Sequence, residues 1–280
     1  MKKILLPTDF SDNSWNAIEY ALRLFKEDIC TFFLLNTYTP IIYQMQYVLI
    51  NPVEYDFYDV IRDASLKGLK DIHDKIQKEF NNPNHSFELI SKFNSLIPEI
   101  NEQINDNAID LIIMGTKGAT GATEVLFGTN MVHVLKHAEC PVLAVPSAFI
   151  YETPKEVLFP TDYELNFEPS VLNILKEIVI KQKSIINVMH VSTGYDLTEI
   201  QENNKSDLET YFKNATYLFH DVRNMDITEA IDEFQLKTKV NLLVMVNNKH
   251  SFFENLFFKS TINQIGFHLV IPFLVIPTNR

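Results

Sequence analysis

The chain has 280 residues, which is enough for two ordinary domains that each bury a core. Hydrophobic residues make up 46% and charged residues 21%, a composition typical of globular proteins rather than of disordered or fibrous ones. The formal net charge of -12 excludes a general binder of nucleic-acid backbones, because such proteins neutralise phosphates with lysine and arginine.

In the first half of the chain, short apolar runs alternate with amphipathic stretches. Strands are predicted at Ile4–Pro7, Thr31–Thr37, His85–Ser91, Leu111–Met114 and Val142–Val145. Helices are predicted at Ser11–Lys26, Val60–Phe80, Leu96–Asn107 and Gly128–His137, with Ser11 as the N-cap of the first. This alternation indicates βαβ units and an α/β fold, in which helices cover both faces of a parallel sheet.

The second half repeats the order of the first. Its strands are predicted at Val157–Pro160, Ser184–Val191, Ala215–His220, Leu242–Val246 and Phe273–Ile276. The segment Leu5–Phe10 recurs as Leu158–Tyr163, and the segment Cys140–Pro146 recurs as Ile271–Pro277. Two halves that begin and end alike indicate a duplication. We therefore expect one domain at residues 1–148 and a second at residues 154–280.

Glycines are concentrated in one part of the first half. The chain has 7 glycines, and four of them lie between Gly115 and Gly128. This window follows a buried strand and ends where a helix begins. Glycine permits positive φ and a close approach of a ligand to the backbone. The helix that starts near Gly128 would direct its N–H groups and its positive dipole end at a bound group, which suits a phosphate chain.

The loop after the first strand, from Pro7 to Asp9, is expected to lie beside the glycine loop. Ligands of open α/β sheets bind beyond the carboxyl ends of the strands, where the winding direction reverses. Asp9 would accept hydrogen bonds from a ribose or a base edge, while the glycine loop takes the phosphates. The alternative is that residues 8–11 only cap the first helix and the glycines only form turns.

The spacing Gly115-x2-Gly118-x9-Gly128-Thr129 resembles the nucleotide-binding signature of the universal stress protein family, Gly-x2-Gly-x9-Gly-Ser/Thr, at every fixed position. The opening run Lys3–Ser11 and the closing run Cys140–Pro146 also look like the first and fifth strands of that family. The resemblance covers the first half from end to end and the second half more weakly. It implies two tandem Rossmann-like domains, each with a five-stranded parallel sheet in the order 3-2-1-4-5.

The resemblance also implies an adenine-nucleotide site across the ends of the first and fourth strands. The ligand would be ATP, and whether Mg²⁺ accompanies it is left open. The implied contacts are Pro7, Thr8 and Asp9 at the adenosine, Thr37 at the adenine, Met114 before the phosphate loop, and Gly115, Gly118, Gly128, Thr129 and Asn130 at the ribose and phosphates. The pair Asn36-Thr37 departs from the His-Val that is more usual in the family.

The second half lacks the glycines of this signature. Its three corresponding positions carry Val246, Lys249 and Lys259. A β-branched valine and two long lysines do not allow the same close approach to the backbone. Asp162 is kept, but an isolated aspartate of this kind caps a helix more often than it contacts a ligand. We therefore expect ATP in the first domain only; the two lysines would attract an anion or form solvated surface.

Residues for efficient catalysis are not evident. Lys117 lies inside the glycine loop, but the Gly-Lys-Ser/Thr order of P-loop ATPases is absent, and no base is placed to activate water. His133 and His137 share a helix, but no glutamate follows His133 as in the metalloprotease pattern, so no metal site is predicted. The expected function is a nucleotide-binding stress-response regulator; the alternatives are a slow ATPase on the same fold and a ligand-free interaction scaffold.

Two further features bear on partners. The connection Tyr38–Tyr58 is longer than usual, so it is expected either to cover the nucleotide, to pack against the other domain, or to fill local core. In the family the fifth strands commonly pair across a twofold axis. Here Val142–Val145 and Phe273–Ile276 would pair with each other in an internal pseudo-dimer, and the chain would be able to dimerise again as a homodimer.

The location is predicted to be cytoplasmic. The apolar stretch Ile4–Leu6 is too short for the core of a signal peptide. No stretch approaches the roughly 18 unbroken apolar residues of a membrane span. Cys30 and Cys140 have neither metal-ligand nor Cys-x-x-Cys spacing, which suits a reducing compartment. We therefore expect neither a membrane nor a nucleic acid as a partner.

Overall fold

The computed structural model describes residues 1–39, 54–116, 128–164, 170–192, 196–247 and 270–278. The chain divides into two compact units, Met1–Ser147 and Ala148–Arg280. Each unit is an α/β fold built on a parallel sheet.

The first unit has the alternating order predicted for it. Its described elements are β1 (Lys2–Pro7), α1 (Asp12–Leu24), β2 (Cys30–Tyr38), α2 (Glu54–Glu79), β3 (His85–Phe93), α3 (Leu96–Asn107), β4 (Leu111–Gly115), α4 (Thr129–His137) and β5 (Val142–Val145). The strands pair in parallel in the order β3-β2-β1-β4-β5. This confirms the predicted order 3-2-1-4-5, in which the winding direction reverses between β1 and β4.

The two central strands form the core of the first unit. Ile4, Leu5 and Leu6 of β1 and Leu111 and Ile112 of β4 are fully buried. Such unbroken apolar runs are typical of parallel strands that helices cover on both faces. With right-handed crossovers, α1 and α2 lie on one face of the sheet and α3 and α4 on the other.

Helices α1 and α2 pack side by side on their face of the sheet. The Lys75 Nζ of α2 lies 3.6 Å from the centroid of the Trp15 ring of α1. The Phe80 ring, just after α2, lies 6.4 Å from the same indole. Helix α1 begins as predicted, because the Ser11 side chain accepts a hydrogen bond from the backbone N–H of Ser14 as an N-cap.

The start of α2 differs from the prediction. The helix already includes Glu54, whereas the sequence pattern placed its start at Val60. Residues 54–58 of the predicted connection Tyr38–Tyr58 are therefore helical, and the prediction was wrong for them. No glycine or proline lies between Val53 and Val60, so nothing in the sequence ends the helix before it reaches Glu54. Residues 40–53 lie outside the described part of the chain.

The second unit has the same topology as the first. Its described elements are β6 (Glu156–Pro160), α5 (Asn173–Gln182), β7 (Ile185–Ser192), α6 (Glu199–Phe212), β8 (Thr216–Arg223), α7 (Ile227–Lys237), β9 (Leu242–Asn247) and β10 (Phe273–Pro277). The strands are parallel in the order β8-β7-β6-β9-β10, which is again 3-2-1-4-5. One difference is local: α1 begins soon after β1, whereas the first helix described after β6 begins at Asn173, and residues 165–169 before it lie outside the described part of the chain.

Cys30 and Cys140 are both buried, and neither forms a disulfide. Burial, with added repulsion from Asp110 and Glu139, raises the pKa of the Cys140 thiol to about 12. This thiol is therefore protonated and unreactive at neutral pH.

Candidate functional site

A cleft of about 270 Å³ lies at the carboxyl ends of β1, β2 and β4 in the first unit. Its lining residues are Pro7, Thr8, Asp9, Ser14, Asn36, Thr37, Leu96, Met114, Gly115, Thr116, Gly128, Thr129, Asn130 and Met131. Because β1 and β4 flank the point where the winding reverses, the cleft is where open α/β sheets bind their ligands. Its volume is close to the lower end of small-molecule sites, at about 300 Å³.

The structure brings nine of the ten predicted site residues to this cleft. They are Pro7, Thr8, Asp9, Thr37, Met114, Gly115, Gly128, Thr129 and Asn130. Gly118 lies outside the described residues. Sequence reasoning missed Ser14, Leu96, Thr116 and Met131, and it noted Asn36 only as a departure from the family pattern. Contact of any of these residues with a ligand stays a prediction.

Thr8 forms part of the floor of the cleft and is largely occupied by bonds within the protein. Its backbone N–H donates to the Leu35 carbonyl at 2.8 Å, and its carbonyl accepts from the Asn36 Nδ2 at 2.8 Å. Its hydroxyl accepts from the backbone N–H of Phe10 at 3.0 Å. With 7% of its surface exposed, Thr8 serves mainly to shape the loop that carries Asp9.

The hydroxyls of this loop point in a defined direction. Ser14 Oγ donates to the Ser11 carbonyl at 2.8 Å, which uses its only proton. Thr8 Oγ1 therefore donates to Ser14 Oγ, 2.9 Å away. Phe10 has a φ of 65°, and its ring lies against α2 where Gly68 leaves room, since a Cβ at residue 68 would be 2.6 Å from that ring. The loop is thus held in a strained conformation by hydroxyl groups and by packing against α2.

Asp9 is exposed at the rim of the cleft. It is the one charged side chain among the described residues of the lining. Its Oδ1 accepts hydrogen bonds from the Ser11 backbone N–H at 3.1 Å and from the Ser11 hydroxyl at 2.5 Å. The carboxylate therefore stabilises the turn before α1, as the capping interpretation predicted, and still lies at the edge of the cleft.

The amino end of α4 forms the opposite side of the cleft. Gly128 is the N-cap, with φ -63° and ψ 156°, and its backbone N–H donates to the Thr116 carbonyl at 2.7 Å. Thr129 and Asn130 are exposed at the cleft, and the first turn contains no acidic residue. The first N–H groups of any helix have no partner within the helix and carry its positive dipole end. This side of the cleft is therefore suited to an anion.

Gly115 has a steric role within the protein. A Cβ at this position would lie 2.8 Å from the Asn13 carbonyl oxygen at the start of α1. The sequence pattern predicted a glycine here so that a ligand could approach the backbone. The structure shows that a glycine is already needed because the backbone of α1 lies so close to β4. The corresponding position in the second unit holds Val246, which is buried. The first described helix after β6, which corresponds to α1, is α5 and begins at Asn173.

The loop after β6 in the second unit repeats the bonds of the loop after β1. The backbone N–H of Tyr163 donates to Thr161 Oγ1 at 3.1 Å, and that of Glu164 donates to Asp162 Oδ1 at 3.0 Å. The Thr161 carbonyl accepts from His190 Nδ1 at 3.0 Å, so His190 takes the place of Asn36. The duplication therefore extends to individual hydrogen bonds.

Helix α6 closes over this second loop. Gln201 Nε2 donates to the Asp162 carbonyl at 2.9 Å, and Asn204 Nδ2 donates to the Tyr163 carbonyl at 2.7 Å. The Tyr163 ring is fully buried and stacks on His190, with ring centroids 4.8 Å apart. These side chains fix the loop by internal contacts. Lys249 and Lys259, the other two substituted positions, lie outside the described residues.

The two histidines of α4 contact each other and the backbone of their helix. The His133 and His137 rings stack with centroids 5.9 Å apart, and His137 Nδ1 donates to the His133 carbonyl at 2.9 Å. Across the described ranges of the chain, no group of three or more histidine, cysteine, aspartate or glutamate residues is placed to hold a metal ion. No described helix combines the length and apolar character of a membrane span.

The fold and the cleft define an α/β protein with a candidate ligand site at the switch point of its first sheet. Residues 1–146 match the sequence model of the universal stress protein family. Universal stress protein MJ0531 of Methanocaldococcus jannaschii is 31% identical over 149 residues, which cover 51% of this chain and 81% of that protein. The chain belongs to the universal stress protein family.

Solved structures extend the similarity to the whole chain. A universal stress protein from Archaeoglobus fulgidus matches 98% of this chain and 96% of its own, with a TM-score of 0.68 and 18% identity. This similarity shows that both halves share the fold. A universal stress protein solved in complex with cAMP matches 52% of this chain and 98% of its own, with a TM-score of 0.38 and 17% identity.

Proposed function

We propose that the first unit binds an adenine nucleotide in the cleft, and that the protein acts as a nucleotide-binding regulator without efficient turnover. The observation that carries this proposal is the convergence of three elements. The Pro7–Asp9 loop, Thr37 at the end of β2 and the amino end of α4 surround one cleft at the switch point of the sheet. Parallel α/β sheets place their nucleotides at such points.

The phosphates would lie at the amino end of α4. Its first turn offers backbone N–H groups, the exposed Thr129 and Asn130, and no competing carboxylate. The described lining contains no lysine or arginine, so anion binding there would rest on the helix dipole and on hydrogen bonds.

The nucleoside would lie at the β1 side of the cleft. Pro7 and Met114 supply apolar surface there, and Thr37 and Asp9 supply polar groups at the rim. Polar side chains outnumber apolar ones in the described lining, so hydrogen bonds would fix the orientation of the ligand.

Mg²⁺ would be held mainly by the nucleotide. The cleft offers Asp9 as the one carboxylate of its described lining, and this ion prefers several oxygen ligands, among them phosphates and water. Asp9 Oδ1 is already committed to Ser11. These residues thus supply little for activating water, which supports binding rather than rapid hydrolysis.

The second unit is proposed not to bind nucleotide. A buried valine replaces the first glycine of the signature, and Gln201 and Asn204 of α6 hold the loop after β6. The expected stoichiometry is therefore one nucleotide per chain.

Matched aspartate variants test the proposal, because Asp9 and Asp162 make the same bond to the backbone N–H two residues later. Calorimetry of the full chain with ATP, ADP, AMP and cAMP should give one site for at least one ligand. Asp9→Ala should weaken binding by about tenfold or more, as expected for loss of a hydrogen bond to a charged group. Asp162→Ala should leave the affinity unchanged.

Three results would contradict the proposal: no binding of any of the four ligands, two sites per chain, or equal losses in the two variants. Steady release of ADP well above that of Asp9→Ala would favour the slow ATPase instead. Sedimentation of the full chain tests the predicted homodimer.

A further inference from the structure

A buried amide connects the floor of the cleft to helix α2. Asn36, at the end of β2, is 8% exposed and donates from Nδ2 to the Thr8 carbonyl at 2.8 Å. Its Oδ1 accepts a hydrogen bond from Ser65 Oγ of α2 at 2.7 Å. Ser65 is 4% exposed, so water does not replace this donor. Both ends of the Asn36 amide are thus used inside the protein.

The direction of these bonds is determined by the number of protons. A carbonyl only accepts, so the NH₂ group of Asn36 must face Thr8 and its oxygen must face Ser65. Ser65 donates its one hydroxyl proton to Asn36. Ser91 Oγ of the edge strand β3, 2.8 Å from Ser65 Oγ, is therefore the donor to Ser65. One ordered series of bonds runs from β3 through α2 to Thr8.

Loss of the Ser65 hydroxyl would leave the Asn36 oxygen buried without this donor. A buried acceptor without a partner is unfavourable, so the amide would turn and weaken its bond to Thr8. Thr8 in turn shapes the loop that carries Asp9. Asn36 and Thr8 both line the cleft, whereas Ser65 is not among its lining residues.

The second unit holds the corresponding carbonyl by another means. His190 donates to Thr161, and the His190 ring is held by stacking on Tyr163. The amide and its serine donor are therefore a feature of the unit that carries the cleft.

We propose that Ser65 is a positioning residue for ligand binding, which acts through Asn36 on the floor of the cleft. The proposal rests on the proposed function, since it needs a ligand in that cleft. Coupling between sites is reciprocal, so nucleotide binding also stabilises the packing of α2 on the sheet.

The experiment compares Ser65→Ala with Ser86→Ala in the full chain, using calorimetry with the nucleotide that binds the wild type. Ser86 and Thr31 bridge the same two strands, β2 and β3, by a hydroxyl pair at 2.9 Å, but at their amino ends, away from the cleft. Ser65→Ala should lose roughly threefold to tenfold in affinity, the range of mutations that act through a neighbour. Ser86→Ala should keep the wild-type affinity.

A double-mutant cycle with Asn36→Ala separates positioning from general destabilisation. If Ser65 acts through Asn36, Ser65→Ala has no further effect on affinity in the Asn36→Ala background. Hydrogen exchange should show that nucleotide protects the amides of α2 in the wild type and protects them less in Ser65→Ala.

The inference is overturned, while the proposed function stands, if Ser65→Ala lowers nucleotide affinity equally in the wild-type and Asn36→Ala backgrounds. It is also overturned if Ser65→Ala and Ser86→Ala lose the same affinity. Wild-type affinity in Ser65→Ala overturns it as well. Failure of the wild type to bind any of the four nucleotides removes both proposals together.

Discussion

At Gly115, strand β4 and the start of α1 approach so closely that a methyl group has no room. The obstacle is the Asn13 carbonyl oxygen, 2.8 Å from where the Cβ would be. This oxygen belongs to the backbone, so it cannot move aside as a side chain would. The first glycine of the nucleotide signature therefore contributes to folding before any ligand is present.

Gly115→Ala should lower the free energy of unfolding by about 1–3 kcal/mol, the usual cost of inserting a methyl group into a packed site. It should also shift the start of α1 and weaken nucleotide binding. Urea denaturation and calorimetry measure the two effects. Gly128→Ala is the control for stability: its φ of -63° suits any residue, and an N-cap glycine replaced by alanine should cost less. Equal stability of Gly115→Ala and the wild type would contradict the steric explanation.

At the level of elements, His85 ties the edge strand β3 to the end of α1. Its Nε2 donates to the Phe25 carbonyl at 3.1 Å, and its ring meets Phe32 edge-on with centroids 4.9 Å apart. Its Nδ1 is buried and has no hydrogen-bond partner within the described part of the chain. A second proton would have to be placed on Nδ1, so burial lowers the pKa of His85, with a smaller opposing effect from Phe25 and Asp28.

A lowered histidine pKa makes stability depend on pH in a definite direction. The unfolded chain binds the proton more readily, so the contribution of neutral His85 is complete above about pH 6.5, the ordinary histidine pKa, and is lost as the pH falls below it. His85→Gln keeps a donor for Phe25 and does not titrate. Urea denaturation across this range should therefore show a smaller loss of stability in His85→Gln than in the wild type. Parallel pH profiles would contradict this assignment.

The sequence predicted strands better than the ends of helices. Strand β4 was predicted at Leu111–Met114 and observed at Leu111–Gly115, because a strand buried on both faces is an unbroken apolar run. The start of α2 was placed too late, since the aromatic residues before Val60 resembled a loop. The start of α5 at Asn173 had no signal in the repeat, because the matching segments end at Tyr163.

Much of the candidate site was accessible to sequence reasoning, because parallel strands bring their carboxyl ends to one edge of a sheet. Pro7–Asp9 and Met114 therefore had to meet. Ser14 and Ser65 were not predictable in this way. Their bonds to Thr8 and Asn36 depend on how α1 and α2 pack, and no local pattern connects residue 36 with residue 65.

On the scale of the whole molecule, the two units share one topology but differ in the side chains that hold the loop after their first strand, β1 or β6. The bonds of Thr8 and Asp9 are repeated by Thr161 and Asp162. Around them, Asn36 with its donor Ser65 holds the loop of the first unit, whereas His190, stacked on the Phe10 counterpart Tyr163, holds the loop of the second. The shared bonds maintain the fold of the loop, so a loss of binding in one unit need not destabilise it.

The position of Trp15 makes the two units optically distinguishable. It is the one tryptophan among 280 residues, it follows Ser14 of the cleft directly, and Lys75 lies over its ring. Indole emission therefore reports on the first unit, while far-ultraviolet circular dichroism reports on the helices of both. A saturating nucleotide should move the emission-detected midpoint of urea denaturation upward, because a ligand that binds only the folded form stabilises it by mass action. An unchanged emission midpoint would contradict binding in the first unit. If nucleotide shifts only part of the dichroism transition to higher urea, the unshifted part belongs to the second unit, which unfolds without a ligand of its own.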